Sequence, residues 1–142
     1  MSKTVPALGA GLEGQGVIVT GAAGGIGREV ASAFAAAGAR VLATDLHRRA
    51  VEQTVRRLPG TGHLAVACDL CDLSSHAALL DRAVRGLGGL RAIVHLAAVL
   101  RRRTELRRVT ERDWDAQLTT NLKAGFFLCR AAAEAHRPAA GA

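Results

Sequence analysis

The chain has 142 residues, 49% of them hydrophobic and 22% charged, which is enough for one domain with a buried core. No apolar run is long enough for the core of a signal peptide or for a membrane span, and the three cysteines predict reduced thiols, so we expect a cytoplasmic protein without a membrane partner. The net charge of +7 comes mainly from arginine, but no zinc spacing, recognition helix or interleaved aromatic residue accompanies it, which argues against a nucleic-acid partner.

Strands and helices alternate strictly along most of the chain. Residues 1–11 lack apolar periodicity, and we expect a flexible tail there, followed by one domain over residues 12–142. The predicted strands are Val17–Thr20, Arg40–Thr44, Leu64–Cys68 and Ala92–Leu96. Alternation of this kind predicts an α/β fold, a doubly wound parallel sheet with helices on both faces.

Apolar periodicity predicts a helix after each strand. After the first strand, one helical face gathers Ile26, Val30, Phe34 and Ala37. After the second, the marker residues are Val51, Val55 and Leu58. Ser74 is a candidate N-cap of the third helix. The last helix is expected to end at Pro138 and to carry one stripe formed by Trp114, Leu118, Leu122, Phe126 and Cys129.

The segment Val17–Gly27 reads VIVTGAAGGIG, an apolar strand that runs into a glycine-rich turn and then a helix. Side chains at Gly21, Gly25 and Gly27 would block the approach of a phosphate or the packing of helix on strand. The helix that begins near Gly25 points N–H groups and its positive dipole end at an anion. The pattern predicts a dinucleotide site, and the alternative is a structural turn without a ligand.

Asp45 ends the second strand, 24 positions after Gly21, where a carboxylate accepts hydrogen bonds from the ribose hydroxyls of adenosine. This placement favours NAD. NADP stays open because Arg48 and Arg49 follow closely and would attract a 2′-phosphate. The alternative is that Asp45 caps the helix that begins near His47.

The run Cys68-Asp69-Leu70-Cys71 has the C-x-x-C spacing of some zinc and redox sites. A zinc ion would need two further ligands, and the available His63 and His76 stand in no recognised pattern. We therefore expect no metal site, and the cysteines are expected to fill space at the sheet edge.

Residues Thr20–Gly27, TGAAGGIG, resemble the T-G-x-x-x-G-I-G motif of the short-chain dehydrogenase/reductase family, NAD(P)-dependent oxidoreductases built on one doubly wound domain. The resemblance covers about Leu12 to Gly141 and implies a Rossmann-type fold. The cofactor contacts that it implies are Gly21, Ala23, Gly24, Gly25, Ile26, Gly27, Asp45, Asp69, Leu70, His95 and Ala97.

The end of the fourth strand departs from the single-domain branch of that family. His95-Leu96-Ala97-Ala98 stands where the branch has Asn-Asn-Ala-Gly, and it is similar to the extended branch of sugar-nucleotide epimerases and dehydratases. A histidine at this point also resembles polyketide ketoreductases. Residues 110–127 resemble the single-domain branch, in which the asparagine matched by Asn121 helps hold a water of a proton relay. The alternative for Asn121 is a helix-interior side chain that bonds its own backbone.

The sequence contains no tyrosine, whereas the family's reaction uses a Tyr-x-x-x-Lys pair with a nearby serine. The resemblance implies an N-terminal portion, truncated after the fourth strand and the following helix. Such a piece keeps the adenosine-binding half, with Asn121 as its one relay residue. We expect an oxidoreductase with a small-molecule alcohol or ketone substrate, and a catalytically silent dinucleotide-binding module as the alternative. The open strand edge predicts an oligomeric or aggregation-prone chain, and the full-length family member is expected to be a homo-oligomer.

Six arginines lie close together between the fourth strand and the last helix: Arg101, Arg102, Arg103, Arg107, Arg108 and Arg112. Glu105 and Glu111 interrupt them, which favours a solvated face. If the cluster is functional, it indicates an acidic substrate.

Overall fold

Four parallel strands form the centre of the fold in a computed structural model that describes residues 11–135. In this part of the chain the strands are β1 (Gly16–Thr20), β2 (Arg40–Asp45), β3 (Leu64–Ala67) and β4 (Ala92–Val94). They lie in the order β3-β2-β1-β4, and β1 is buried along its whole length between β2 and β4. The parallel sheet that the alternation predicted is confirmed.

Five helices accompany the sheet in the described residues: α1 (Gly25–Ala36), α2 (Arg48–Val55), α3 (His76–Leu87), α4 (Glu111–Leu118) and α5 (Ala124–Ala135). Short 3-10 turns occupy Leu73–Ser75 and Leu106–Arg108, and a π turn at Thr119–Lys123 joins α4 to α5. None of the helices between residues 11 and 135 has the length and apolar character needed to cross a membrane.

The strands bury different residues on the two faces of the sheet, because successive side chains point to opposite sides. On one face, Val17 and Val19 pack with α1 and α2, which contribute Ala31, Ala35 and Val51. On the other face, α3 and α5 cover the sheet with a second cluster that includes Ile18, Leu42, Leu80, Leu87 and Leu128. Helices on both faces confirm the doubly wound, Rossmann-type architecture.

Some element boundaries differ from those expected. β4 ends at Val94 because the next N–H groups available for bonding, those of Leu96 and Ala97, go to the Thr20 hydroxyl. α2 ends at Val55, although Leu58 beyond it is still buried. The predicted tail lies almost entirely outside the described residues, and the expected helix end at Pro138 lies outside them as well.

The buried face of α1 is not the one that apolar periodicity predicted. Gly27, Ala31 and Ala35 face the sheet, whereas Ile26 is 74% exposed. Small residues line the contact because α1 approaches the end of β1 closely: a Cβ on Gly27 would collide with the Gly21 carbonyl. The side chains of Val30 and Phe34 are only partly buried at the margin of this contact.

Ser74 is not the N-cap of α3, so this prediction was wrong. Asp72 caps the preceding 3-10 turn, where its Oδ1 accepts from the Ser74 N–H at 3.0 Å and from the Ser74 hydroxyl at 2.6 Å. These hydrogen bonds lower the pKa of Asp72. α3 begins only at His76, after the turn that Asp72 stabilises.

The expected single last helix is interrupted by the π turn, which joins two shorter helices. The predicted stripe lies on the solvent side, with Trp114, Leu118, Leu122 and Phe126 between 42% and 65% exposed. The buried residues of α5 are Ala124, Gly125 and Leu128. α5 therefore covers the sheet with Leu128 and two small residues, and it presents Phe126 outward.

A capping box fixes the start of α4. The Thr110 hydroxyl accepts from the Asp113 N–H, and the Asp113 carboxylate accepts in return from the Thr110 N–H. Arg103 donates two hydrogen bonds of 2.9 Å to the same carboxylate, which is nearly buried. The Arg103 guanidinium, followed by the hydroxyl and N–H of Thr110, holds the pKa of Asp113 well below its usual range.

We predict that Asp113→Asn lowers the Tm by several degrees at neutral pH, because the amide cannot accept the two charged bonds from Arg103. A folded-state pKa below the ordinary 3.8 means that the carboxylate's stabilisation is complete above about pH 4 and is lost as the pH falls further. The Tm difference should stay constant at higher pH and narrow in more acidic buffers. Thermal unfolding followed by circular dichroism measures it.

Asp81→Asn is the control, since it removes an exposed ion pair with Arg85. If the Asp113 variant loses no more stability than this control, the Arg103–Thr110–Asp113 group does not hold α4 in place.

Candidate functional site

A cleft of about 290 Å³ opens at the carboxyl ends of the strands. Its walls include Gly21 after β1, Asp45 of β2, Asp69 after β3, Ala97 after β4 and Thr120 of the π turn. Parallel strands bring these positions together because all their carboxyl ends meet at one edge of the sheet. The cleft thus brings together five of the eleven predicted cofactor contacts: Gly21, Asp45, Asp69, Leu70 and Ala97.

The glycine turn leaves β1 in a conformation and a space that exclude a side chain. Gly21 has φ +65°, and a Cβ there would stand 2.7 Å from the Ala97 nitrogen and the Leu96 oxygen. Gly24 donates to the Gly21 carbonyl at 3.1 Å and is the N-cap of α1. The first hydrogen bond of α1 runs from the Arg28 N–H to Gly24, so the N–H groups of the first turn have no acceptor within the helix.

Gly25 differs from the other two glycines of the pattern. A Cβ on Gly25 would meet nothing within 4 Å, whereas one on Gly27 would collide with backbone. The packing of the described residues therefore explains Gly21 and Gly27 but not Gly25. Open space at the first residue of α1 is what a closely approaching phosphate requires.

Asp45 faces the glycine turn. Its Oδ2 accepts from the Ala23 N–H at 3.1 Å, and its Oδ1 lies 3.4 Å from the His47 nitrogen. His47 is itself the N-cap of α2 and makes no side-chain cap bond. The interpretation of Asp45 as a helix cap is thus not supported, and the carboxylate spans from β2 to the turn after β1.

The segment after β3 gives the cleft one polar and one apolar group. Asp69 accepts from the Cys71 N–H at 2.9 Å and stays exposed, whereas Leu70 is 6% exposed and packs in the core below. The buried His76 donates from Nε2 to the Leu70 carbonyl at 2.9 Å and so fixes this segment. Leu46, which is 61% exposed, also lines the cleft and was not predicted from the sequence. The sequence indicated its place in the cleft only by its position, an apolar residue directly after Asp45 at the end of β2.

The two cysteines of the C-x-x-C run have separate partners. Cys68 Sγ lies 3.1 Å from the Ser75 hydroxyl, and Cys71 Sγ lies 3.4 Å from the Thr120 hydroxyl. Within residues 11–135, no three or more His, Cys, Asp or Glu side chains cluster as a metal site would require. His63, considered as a ligand, bonds Val41 and Pro59 instead.

His95 bonds the Thr20 hydroxyl and the Thr120 carbonyl, Asn121 bonds the Val99 backbone, and neither side chain is among those within residues 11–135 that line the cleft. The His95 ring lies between Thr20 and Thr120. The Asn121 amide makes two bonds to Val99, accepting its N–H at 2.8 Å and donating to its carbonyl at 3.0 Å. Asn121 therefore holds the loop after β4, 22 residues away, and not the backbone of its own helix.

In the described part of the chain, three of the six arginines of the cluster form ion pairs. Arg103 binds Asp113, and Arg107 and Arg108 both approach Glu105. Arg101 and Arg112 line an open groove of about 580 Å³ beside the cleft, together with acidic residues of α4. The mixed charge of this groove weakens the case for an acidic ligand.

Residues 15–142 match the family model described as short chain dehydrogenase. The chain belongs to this family. It is 37% identical over 122 residues to D-threitol dehydrogenase of Mycolicibacterium smegmatis, covering 84% of this chain and 46% of the relative. It is 35% identical over 127 residues to human (3R)-3-hydroxyacyl-CoA dehydrogenase, covering 83% and 49%.

A solved structure with the same fold is the glucose/ribitol dehydrogenase-type short-chain dehydrogenase of Brucella melitensis. It superposes with a TM-score of 0.81 at 27% identity, over 87% of this chain and 52% of that chain. A short chain dehydrogenase of Mycobacterium smegmatis gives 0.79 at 33% identity. The chain thus spans about half the length of the relatives it matches.

We predict that Gly27→Ala costs about 1–3 kcal/mol of unfolding free energy, because its methyl group would collide with the Gly21 carbonyl and force α1 away from β1. Gly25→Ala is the matched control in the same helical turn, and its methyl group meets open space. This control should fold at least as stably as the parent, since alanine favours a helix over glycine. Urea unfolding measures both, and equal losses would contradict the packing role of Gly27.

Proposed function

We propose that the cleft binds the adenosine and pyrophosphate of NAD, and that the whole protein is an oxidoreductase that transfers hydride between NAD and a small alcohol or ketone. The observation that carries the proposal is the position of Asp45, whose carboxylate is hydrogen-bonded to the glycine turn at the open mouth of the cleft. Membership of a family of dehydrogenases supports the reaction class.

The residues present fit a dinucleotide. The first turn of α1 offers backbone N–H groups and open space at Gly25 to a pyrophosphate. Asp45 keeps lone pairs available for ribose hydroxyls, since each carboxylate oxygen accepts at two positions. Leu46 and Leu70 give the cleft apolar surface for an adenine ring, and Asp69 stands beside them. When bound, the nicotinamide supplies or takes the hydride.

The preference for NAD over NADP rests on charge. A 2′-phosphate would come close to the Asp45 carboxylate, and like charges at that distance repel. Arg48 and Arg49 are exposed at the start of α2 and make no ion pair with Asp45 that would cancel its charge. We therefore assign NAD as the cofactor and NADP as the weaker ligand.

Asn121 is proposed as the relay residue. Its amide fixes the loop after β4 through Val99 and retains one N–H and one lone pair, enough to hold a water. The proton-donating groups that the family's reaction requires are not matched in this sequence, which has no tyrosine. The second candidate is a catalytically silent module that binds the dinucleotide without turning over a substrate.

We predict that Asp45→Ala weakens NAD binding about tenfold or more, the usual effect of removing a charged hydrogen-bond acceptor, and affects NADP less. Asp45→Asn separates charge from contact, because its amide oxygen still accepts from Ala23 while the negative charge is gone. It should bring the NAD and NADP affinities closer together. Calorimetric titration of both cofactors measures this.

Asp81→Ala on the far side of α3 is the control for loss of an acidic residue. If Asp45→Ala leaves both affinities unchanged, Asp45 does not bind the ribose. A dehydrogenase assay on alcohols and ketones in the same samples distinguishes the candidates, since binding without turnover supports the silent module.

We also propose that two copies associate through the stripe of Trp114, Leu118, Leu122 and Phe126. The stripe borders an open groove of about 380 Å³ that also contains Asp115 and Lys123. In an antiparallel twofold arrangement, Asp115 would face Lys123 of the partner subunit, and the reverse pair would form at the other end. The exposed apolar side chains and this charge complementarity together favour a second copy as the occupant.

We predict that Leu122→Glu shifts the chain toward monomer in sedimentation velocity, because it places a charge in the apolar contact. Leu106→Glu is the control, since Leu106 is 90% exposed outside the stripe. Asp115→Lys should weaken association by opposing two lysines, and adding Lys123→Asp should restore it. A parent chain that stays monomeric at high concentration would refute the proposal.

A further inference from the structure

The Thr20 hydroxyl makes three hydrogen bonds at the end of β1. The N–H groups of Leu96 and Ala97 lie 3.0 and 3.1 Å from Thr20 Oγ1, and His95 Nδ1 lies 3.0 Å from it. Thr20 is fully buried, so water does not complete this set. The three partners are consecutive residues that follow β4.

Counting protons fixes the direction of each bond. A hydroxyl accepts at two lone pairs and donates one proton. The two backbone N–H groups only donate, so they occupy both lone pairs of Thr20 Oγ1. The hydroxyl proton is then directed at His95 Nδ1, which must accept it and therefore carries no proton itself.

The other ring nitrogen is determined in the same way. His95 Nε2 lies 3.2 Å from the Thr120 carbonyl oxygen, which only accepts, so Nε2 carries the proton. The ring is thus neutral and in one tautomer. α5 packs closely against it, because a Cβ on Gly125 would stand 2.6 Å from His95 Cδ2. A flipped ring would place carbon against the Thr20 hydroxyl and leave that buried donor unsatisfied.

The two nitrogens of this ring connect, through Thr20 and Thr120, to two segments that line the cleft. Through Thr20 it fixes the Leu96–Ala97 backbone that lies against Gly21. Through Thr120 it fixes the π turn, whose Asn121 holds Val99. Ala97, Val99 and Thr120 all line the cleft, whereas His95 is not among the cleft-lining residues in the described part of the chain.

We propose that His95 is a positioning residue: as the neutral Nε2–H tautomer, it sets the separation between the Leu96–Ala97 backbone and the π turn. No ligand contact is involved, so this role differs from the cofactor contact that the resemblance implied. The effect of this positioning role on NAD affinity rests on the proposed function. The tautomer of His95 and its hydrogen bonds with Thr20 and Thr120 do not.

Two substitutions at His95 test its hydrogen bond with Thr20 and its hydrogen bond to Thr120 separately. The side-chain amide of asparagine reaches about as far as Nδ1, so His95→Asn can keep the bond with Thr20 and loses the one to Thr120. The amide of glutamine reaches about as far as Nε2, so His95→Gln can keep the bond to Thr120 and loses the one with Thr20. If His95 only filled space, both variants would disturb the same backbone segments.

The first measurement is the nitrogen NMR spectrum of the histidine rings in the labelled 142-residue chain near neutral pH. We expect His95 to show an unprotonated Nδ1 and a protonated Nε2. A proton on Nδ1, or rapid averaging of the two nitrogens, would overturn the proposal. This readout needs no cofactor and no variant, so it stands even if both variants fail to fold or the chain does not bind NAD.

The second measurement compares the variants. His95→Asn should shift the Asn121 side-chain amide and spare the Leu96 and Ala97 backbone amides, and His95→Gln should do the reverse. Each should weaken NAD binding about fivefold, the equivalent of one ordinary hydrogen bond. Identical shift patterns in the two variants would overturn the positioning role. Correct shift patterns without any NAD binding by the parent chain would instead count against the proposed cofactor.

Discussion

The close approach of the β1 end to the backbone after β4 is the constraint on which the rest of the structure depends. Gly21 leaves room for Leu96 and Ala97 because it has no Cβ, and the Thr20 hydroxyl collects the N–H groups of both residues. The same turn is tied to β2, since the Ala22 N–H donates to Thr44 and the Asp45 carboxylate accepts from Ala23. One short turn thus sets the relative positions of three strand ends.

That turn also sets the start of α1. Gly27 packs where any side chain would meet the Gly21 carbonyl, so the helix begins directly against the turn. On the opposite side, Thr54 of α2 donates to the Ala22 carbonyl at 3.0 Å. The polar backbone of the turn is therefore satisfied by its neighbours, and the N–H groups of the first turn of α1, which have no acceptor within the helix, are held in a fixed geometry.

The sequence predicts the sheet well and the helix faces less well, for a physical reason. The strands are continuous apolar runs bounded by turns, and Asp45 and Asp69 follow from their places at strand ends. Periodicity ranks residues by hydrophobicity, so it selected Ile26 for the buried face, although close packing requires Gly27. It also assigns no position to a π turn, whose inserted residue changes which side chains face the sheet.

The polar contacts of the site could be predicted only in part. Family resemblance pointed to His95 as a cofactor contact and to Asn121 as a relay residue, but it carried no information about their hydrogen-bond partners. Those partners, Thr20, Thr120 and Val99, come from three separate elements, and their distances depend on the packing of α5 against the sheet. Long-range satisfaction of buried donors is a property of the folded chain, not of a local pattern.

Two kinds of exposed apolar residue remain after the core is formed, and they differ in their surroundings. Ile26 and Leu46 are isolated and lie beside the glycine turn and in the cleft, where single apolar contacts suit a small ligand. The stripe from Trp114 to Phe126 is contiguous and is flanked by an acidic and a basic residue, Asp115 and Lys123, which suits another protein surface.

The π turn connects these two surfaces: Thr120 faces the cleft while Leu122 lies on the stripe. Thr120 is also bonded to His95, and His95 in turn is bonded to Thr20 at the end of β1. The surface proposed for association and the cleft proposed for NAD therefore share residues of the same short turn, Leu122 on the outside and Thr120 on the inside.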